Sequence, residues 1–316
     1  MFAYMLKRVA WLFVVLFVMV TFMYISTKFA STFQYARRLP FLDILKNATS
    51  SYKDYIVGIL TEWDWGTNNK GNDVWELMVK KLPISLKINV IAFFVYVSMG
   101  VALGIISAVK KDSFIDHGIA IFTLVFSSVP SFILAFALIL VFGYELGWLP
   151  PMYPVIAYTF KQRVLGFAIP VMALSIGPIA NFTRLVRGEL LETFGADYLL
   201  LARTKGLNKR QVIFRHALRN SAVAVMPALS STFILVLSGS FLIEVIYNIQ
   251  GVANLFMDSL LKPFLDFNYV NIDTNTVVVV STFYASIALM MSLIADMLYI
   301  VVDPRMQIGH KKVSNQ

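Results

Sequence analysis

Long apolar runs alternate with short polar stretches along the chain, and this pattern predicts membrane-spanning helices. A helix needs about 20 mostly apolar residues to cross the hydrocarbon core of a bilayer, where its backbone groups must be satisfied internally. Six runs approach or exceed that length, so we expect an all-α integral membrane fold with six transmembrane helices. The predicted spans cover residues 9–26, 84–109, 118–144, 165–182, 221–247 and 276–302.

These spans divide the chain into four regions. They are an N-terminal tail with the first span (1–27), an extracytoplasmic segment (28–83), a five-span core with a cytoplasmic loop at 184–220 (84–305), and a cytoplasmic tail (306–316). The third span contains Pro130. We expect one continuous helix there, because neighbouring helices can satisfy the backbone groups that a proline frees.

The extracytoplasmic segment is mixed in polarity, and its pattern predicts amphipathic helices at 50–62 and 73–81. It also carries Trp63, Trp65 and Trp75. We interpret these three side chains as residues of the lipid interface, where tryptophan is enriched. Stacking against a ligand is the alternative.

Composition supports the membrane interpretation, and charge orients the chain. Charged residues make up 14% of the sequence, against about 25% in soluble domains. Much of the net charge of +9 lies beside apolar runs, which fits cytoplasmic loops better than nucleic-acid binding. Residues 184–219 hold eight Lys or Arg against three Asp or Glu. Because positive loops lie inside, both termini are expected in the cytoplasm.

Little in the sequence points to catalysis or to a bound cofactor. The chain has no cysteine, which excludes disulfides and thiolate metal sites. Its three histidines, His117, His216 and His310, lack the spacing of metal ligands. Gly66 and Gly71 have the spacing of a phosphate-binding loop, but the residues that follow them are not Lys and Ser or Thr. We therefore expect no metal, cofactor or catalytic site on this chain.

A strongly basic stretch, residues 197–220, interrupts the apolar runs of the second half; we call it the polar segment. Tyr198, Leu201 and Ala202 fall on one predicted helical face, and Gly206 and Asn208 suit a left-handed helix stop. The pattern predicts a short helical hairpin outside the bilayer that is offered to a partner. The alternative is a contact with anionic lipid.

Two acidic residues fall inside predicted spans. Glu244 near the outer end of the fifth span would line the transport pathway or cap that end. Asp296 in the sixth span would line the pathway or pair with Arg184 or Arg305. Carboxylates are expensive in lipid, so each needs such an explanation.

Several runs resemble, in order, the B-type permease subunit of peptide-type (oligopeptide, dipeptide or nickel) bacterial ABC importers. They are LPISLKI (82–88), SSVPSFILAFALIL (127–140), LGWLP (146–150), NFTRLVRGELLETFGADYLLLARTKGL (181–207), FRHALRN (214–220), LSGSFLIEVIYNIQGVANL (237–255) and DMLYIVVDPR (296–305). The resemblance implies the type I importer permease fold in the bacterial cytoplasmic membrane. The outer segments 28–50 and 261–276 depart from the family pattern.

In that family the loop before the penultimate span forms a coupling helix that docks on the partner ATPase. Its Glu-Ala-Ala motif precedes a glycine; with that glycine at Gly206, the motif falls on residues 200–202, where Ala202 alone agrees. The resemblance and the helical face together assign coupling to Asp197, Tyr198, Leu201, Ala202, Arg203, Lys205, Gly206, Leu207, Arg215 and His216.

The resemblance also implies partners and an activity. The partners would be a second, C-type permease subunit, two ATP-binding subunits that hold ATP and magnesium, and an extracytoplasmic solute-binding protein. The activity would be ATP-driven import of oligopeptides or dipeptides. The same machine carrying nickel or a metallophore is one alternative. An ion-driven secondary transporter is another, although it predicts an inverted repeat that the sequence does not clearly contain.

Overall fold

The computed structural model describes residues 2–35, 40–154, 159–265 and 272–302, and its named elements are all helical. Five described helices are long and apolar enough to cross a bilayer, and a bent helix pair makes six when it is counted as one span. The all-α membrane fold is therefore confirmed. The predicted tail at 306–316 and part of the outer segment at 261–276 lie outside the described residues.

The described helices are numbered in chain order. They are α1 (Phe2–Tyr35), α2 (Phe41–Ser50), α3 (Tyr52–Glu62), α4 (Val74–Val109), α5 (Phe114–Ser128), α6 (Ser131–Leu138, continued by a π-helical stretch Ile139–Glu145), α7 (Phe160–Phe194), α8 (Asp197–Thr204), α9 (Lys209–Gln211, continued by a π-helical stretch Val212–Ala217), α10 (Leu218–Ile246), α11 (Val252–Leu265) and α12 (Thr274–Val302).

The third predicted span is broken at Pro130, so the prediction of one continuous helix is wrong. α5 and α6 meet at an angle of 105°. Val129 has an extended backbone (φ −94°, ψ 121°), because the ring of a following proline disfavours helical geometry. The hydroxyl of Ser128 donates to the carbonyl of Leu124 at 3.0 Å. The hydroxyl thereby competes with backbone N–H groups for the Leu124 carbonyl in the last turn of α5.

Helix α4 begins before residue 84, where hydropathy places the start of the second span. It starts at Val74, so the amphipathic helix predicted at 73–81 is its first part. The predicted boundary at residue 83 consequently falls inside a helix, and Pro83 does not end it. Lys80 and Lys81 are good helix formers, so the helix continues through a stretch too polar to count as a span.

The structure divides into two compact units, the first of which contains α1 to α3, α11 and the adjoining parts of α4, α10 and α12. Its core includes Trp65, and Trp75 packs against that core. The ring centroids of Trp63 and Trp75 lie 5.2 Å apart, and those of Trp65 and Trp75 lie 6.2 Å apart. Trp65 is buried, whereas Trp63 is exposed. The three residues form a packed aromatic cluster, and their position at the lipid interface stays a prediction.

The second unit contains α5 to α9 and the adjoining parts of α4, α10 and α12. Within it, α4 approaches α7 through two glycines one turn apart. A Cβ atom on Gly100 would lie 2.9 Å from Cβ of Phe182, and one on Gly104 would lie 2.7 Å from Cβ of Val186. Small residues at this spacing let membrane helices pack closely. At these two positions a residue larger than glycine would force α4 or the facing side chains of α7 to move.

Alanine at Gly104 is expected to destabilise the protein by about 1–3 kcal/mol, as overpacking usually does. The added Cβ would meet the side chain of Val186 and the carbonyl of Thr183. Gly188→Ala on α7 is the matched control, since nothing lies within 4 Å of its added Cβ. Unfolding of the purified variants in detergent measures the difference. Equal stability of the two variants would contradict the close contact.

Candidate functional site

The polar segment begins with α8 and turns at a glycine. Gly206 has φ +80°, a left-handed conformation that costs glycine nothing sterically. Its N–H donates to the carbonyl of Arg203 at 3.0 Å, and the N–H of Leu207 donates to the carbonyl of Ala202 at 3.4 Å. These bonds satisfy carbonyls at the end of α8. The predicted helix stop at Gly206 is confirmed.

Asn208 starts the next helix instead of ending the previous one. Its side chain accepts from the N–H of Gln211 at 2.9 Å, and Oε1 of Gln211 accepts from the N–H of Asn208 at 3.1 Å. This reciprocal pair is a capping box. The helix that it starts is continuous over Lys209–Ile246 and includes the fifth span. The prediction of a separate short second helix is therefore wrong, because no helix stop separates that arm from the span.

Helix α8 turns one face inward and another outward. Leu199 and Ala202 are buried in a core cluster of the second unit that also includes Leu190 and Val212. Tyr198 is 42% exposed and Leu201 is 57% exposed. Tyr198, Leu201 and Ala202 were predicted to share one face. That prediction is wrong for Ala202, which is buried while the other two are exposed. Positions 199 and 202 are three apart and share the buried side, and sequence periodicity did not single out Leu199.

The outward side of the polar segment combines apolar and basic groups. Tyr198, Leu200 and Leu201 contribute the apolar part. We call Tyr198 and Leu201, the two assigned to coupling, the exposed pair of α8. The charged side chains assigned to coupling are all exposed on α8, on the turn after it and on the next helix: Asp197, Arg203, Lys205 and Arg215. Leu207 and His216 are half-buried. Across the described residues no three His, Asp or Glu side chains converge as a metal site requires. The outward side therefore combines exposed apolar and charged side chains, and its role in docking stays a prediction.

An ion pair that the sequence analysis missed lies in the same unit. Asp116 at the start of α5 accepts two hydrogen bonds from Arg187 on α7, at 2.9 Å from Nε and 2.8 Å from the terminal nitrogen Nη2. Its carboxylate also accepts from the hydroxyl of Ser107 on α4 and from the N–H of Asp112. The aspartate side chain is 5% exposed and the arginine side chain 32% exposed.

The signal for this pair was present but weak. Ser113 is the N-cap of α5, and its hydroxyl accepts from the N–H of Asp116 at 3.3 Å. Because acidic residues are common in the first turn of a helix, the sequence around Asp116 does not distinguish it from an ordinary first-turn residue. The arginine 71 positions away is brought to it only by the packing of α7 on α4 and α5.

Glu244 is fully buried within the first unit, where it caps the neighbouring helix α11. Its Oε2 accepts from the N–H groups of Ala253 and Asn254 at 3.0 and 3.2 Å. A Cβ on Gly251 would collide with this carboxylate and with the hydroxyl of Ser85. The carboxylate therefore lies inside its own unit. Glu244 is a helix cap, as one of the two alternatives predicted. It caps the start of α11, however, and not the end of the fifth span.

Asp296 lies on α12 in the second unit and is half-buried. Of its two predicted partners, Arg184 donates to Oδ1 of Asn181 at 2.9 Å, and Arg305 lies outside the described residues. A pathway role for Asp296 stays a prediction.

Comparison with known proteins identifies the family. Residues 100–308 match the family described as "Binding-protein-dependent transport system inner membrane component". The chain belongs to this family. The matched region includes the polar segment, the Asp116–Arg187 pair and both intramembrane acids.

Curated relatives resemble this inner membrane component along nearly its whole length. It is 32% identical to the dipeptide transport system permease protein of Lactococcus lactis subsp. cremoris (strain MG1363), over 96% of this chain and 99% of the relative. It is 30% identical to the oligopeptide transport system permease protein of Salmonella typhimurium (strain LT2), over 92% of this chain and 95% of the relative.

A solved structure supports the fold of this inner membrane component. The MetNI methionine ABC transporter, in inward-facing conformations, aligns with a TM-score of 0.56 at 15% identity. The alignment covers 72% of this chain and 97% of that one. The resemblance to ABC importer permeases and the multi-pass location in the bacterial inner membrane are confirmed. The ion-driven secondary transporter is set aside by the family match.

Glu244→Leu is expected to destabilise this inner membrane component by about 1–3 kcal/mol, because two buried N–H groups at the start of α11 lose their acceptor. Glu244→Gln keeps one side-chain oxygen and should lose less. Unfolding of the purified variants in detergent measures both. Unchanged stability of Glu244→Leu, with loss of transport alone, would contradict the capping role and restore the pathway interpretation.

Proposed function

We propose that this chain is the B-type permease subunit of an ATP-driven importer whose substrates are dipeptides or oligopeptides. The observation that carries the proposal is similarity over 96% and 92% of the chain to relatives named as dipeptide and oligopeptide permeases. The likeness to a methionine transporter supports the type of machine, since at 15% identity it bears on fold alone.

In this proposal the chain works within an assembly of several subunits. It pairs with a C-type permease, and the two permeases bind two ATP-binding subunits and an extracytoplasmic solute-binding protein. ATP and magnesium bind to the ATP-binding subunits, so this chain is not itself an enzyme. The family description, which names binding-protein-dependent transport, supports a solute-binding partner.

The exposed pair of α8 forms the docking contact in this mechanism. Tyr198 and Leu201 enter a groove on an ATP-binding subunit, as amphipathic helices do in many complexes. Asp197, Arg203, Lys205, Arg215 and His216 surround this contact. Charged pairs at the rim of the groove contribute to encounter and orientation more than to affinity.

The buried face of α8 passes the resulting movement into the permease. Leu199 and Ala202 pack in the core cluster of the second unit, and closely packed groups transmit displacement because they are hard to compress. Gly206 and Leu207 keep the turn after α8 short. ATP binding and hydrolysis on the partners then switch the pathway between outward and inward access, with Asp296 as our candidate for a pathway contact.

Reconstitution of the complete complex in liposomes tests the function. With all partners and ATP present, labelled di- and oligopeptides should accumulate inside, and omission of ATP or of the ATP-binding subunits should abolish uptake. Nickel and a nickel chelate are assayed in parallel. Uptake of nickel without peptide would overturn the substrate assignment, and uptake without the ATP-binding subunits would overturn the mechanism.

Leu201→Asp should detach the ATP-binding subunits. The permease should stay folded, because the Leu201 side chain is mostly exposed and is not part of the core cluster. Loss of one central apolar anchor typically weakens binding by about 2 kcal/mol or more. Co-purification of the ATP-binding subunits with tagged permease measures the effect. Leu201→Met, which keeps an apolar side chain, is the matched control. Full binding by Leu201→Asp would exclude this face as the docking contact.

A further inference from the structure

The Asp116 carboxylate joins three helices at one point. It begins α5, receives the guanidinium of Arg187 from α7, and receives the hydroxyl of Ser107 from the end of α4. The N–H of Asp112, in the connection between α4 and α5, donates to it at 3.0 Å. A buried carboxylate with this many donors is held firmly, and a two-bond arginine contact also fixes orientation.

This ion pair lies next to the close contact between α4 and α7. Arg187 directly follows Val186, which faces Gly104, and Ser107 lies one turn beyond Gly104 on α4. The glycine contact already holds α4 against α7. Helix α5 also packs against α7. What the ion pair adds is a charged attachment of fixed orientation at the start of α5, whose Phe114 is almost fully exposed.

The same end of α7 carries the polar segment. Val186 and Leu190 of α7 share a core cluster with Leu199 and Ala202 of α8 and with Ala108 at the end of α4. A displacement of α8 therefore reaches α7 through apolar packing. From α7 it reaches the start of α5 through the Asp116–Arg187 pair, and α5 leads into the bend before α6.

We propose that the Asp116–Arg187 ion pair is a positioning contact that makes α5 follow the polar segment during transport. The inference rests on the proposed function, in which α8 receives movement from an ATP-binding subunit. Asp116 and Arg187 bind no substrate in this account. They hold α5 in register with α7, so that ATP hydrolysis on the partner moves the bent α5–α6 pair.

The test is the coupling ratio, meaning peptide imported per ATP hydrolysed by the complete complex in liposomes. Asp116→Asn and Arg187→Gln should each lower this ratio about tenfold, within the range usual for coupled sites, while the complex stays assembled and hydrolyses ATP. Arg187→Lys keeps the charge but loses the two-bond geometry, so its ratio should lie in between. Arg184→Gln, an exposed arginine one turn earlier on α7, is the matched control and should leave the ratio unchanged.

The double variant Asp116→Asn with Arg187→Gln distinguishes a joint role from two separate roles. If the two side chains act only through each other, the double variant should be no worse than either single variant. Additive losses would overturn the proposal.

Two further outcomes would also overturn it. One is an unchanged ratio in both single variants. The other is failure of those variants to assemble, which would give the pair a purely structural role. The wild-type complex is measured first: absence of ATP-driven peptide uptake there would refute the proposed function itself, and the ion-pair proposal with it.

Discussion

Burial of one face of α8 in the permease's own core is the interaction on which the rest of this structure depends. Leu199 and Ala202 enter a cluster that also contains residues of α4, α7 and α10. The neighbouring stripe, with Tyr198 and Leu201, is left exposed. The side chains that hold this helix in the core are therefore different from the side chains that it exposes.

The close contact of α4 with α7 forms part of that core, since Phe182 and Val186 belong to the cluster. Between spanning helices lipid provides no hydrophobic driving force, so stability rests on packing and hydrogen bonds. Gly100 and Gly104 permit the close packing against Phe182 and Val186. Asp116 and Arg187 provide the polar contact one position further along α7.

Asp116 and Glu244 show how buried carboxylates are kept in this fold. Asp116 pairs with Arg187 and accepts hydrogen bonds from two further groups. Glu244 accepts hydrogen bonds from N–H groups at the start of α11, which have no partner within that helix. Both arrangements supply partners that lipid cannot. Glu244 shows that an acid in a predicted span is not by itself evidence of a transport pathway.

The sequence by itself determined the all-α membrane class, the approximate spans, the turn at Gly206 and the resemblance to peptide-type permeases. Each follows from composition, from local backbone preference or from runs of matching residues. Only the tertiary structure decided that α5 and α6 bend at Pro130 and that the helix from Lys209 continues into the fifth span. It also decided that Ala202 faces inward and that Arg187 meets Asp116. These features depend on which helices pack together, and hydropathy reports only how apolar a stretch is, not what lies beside it.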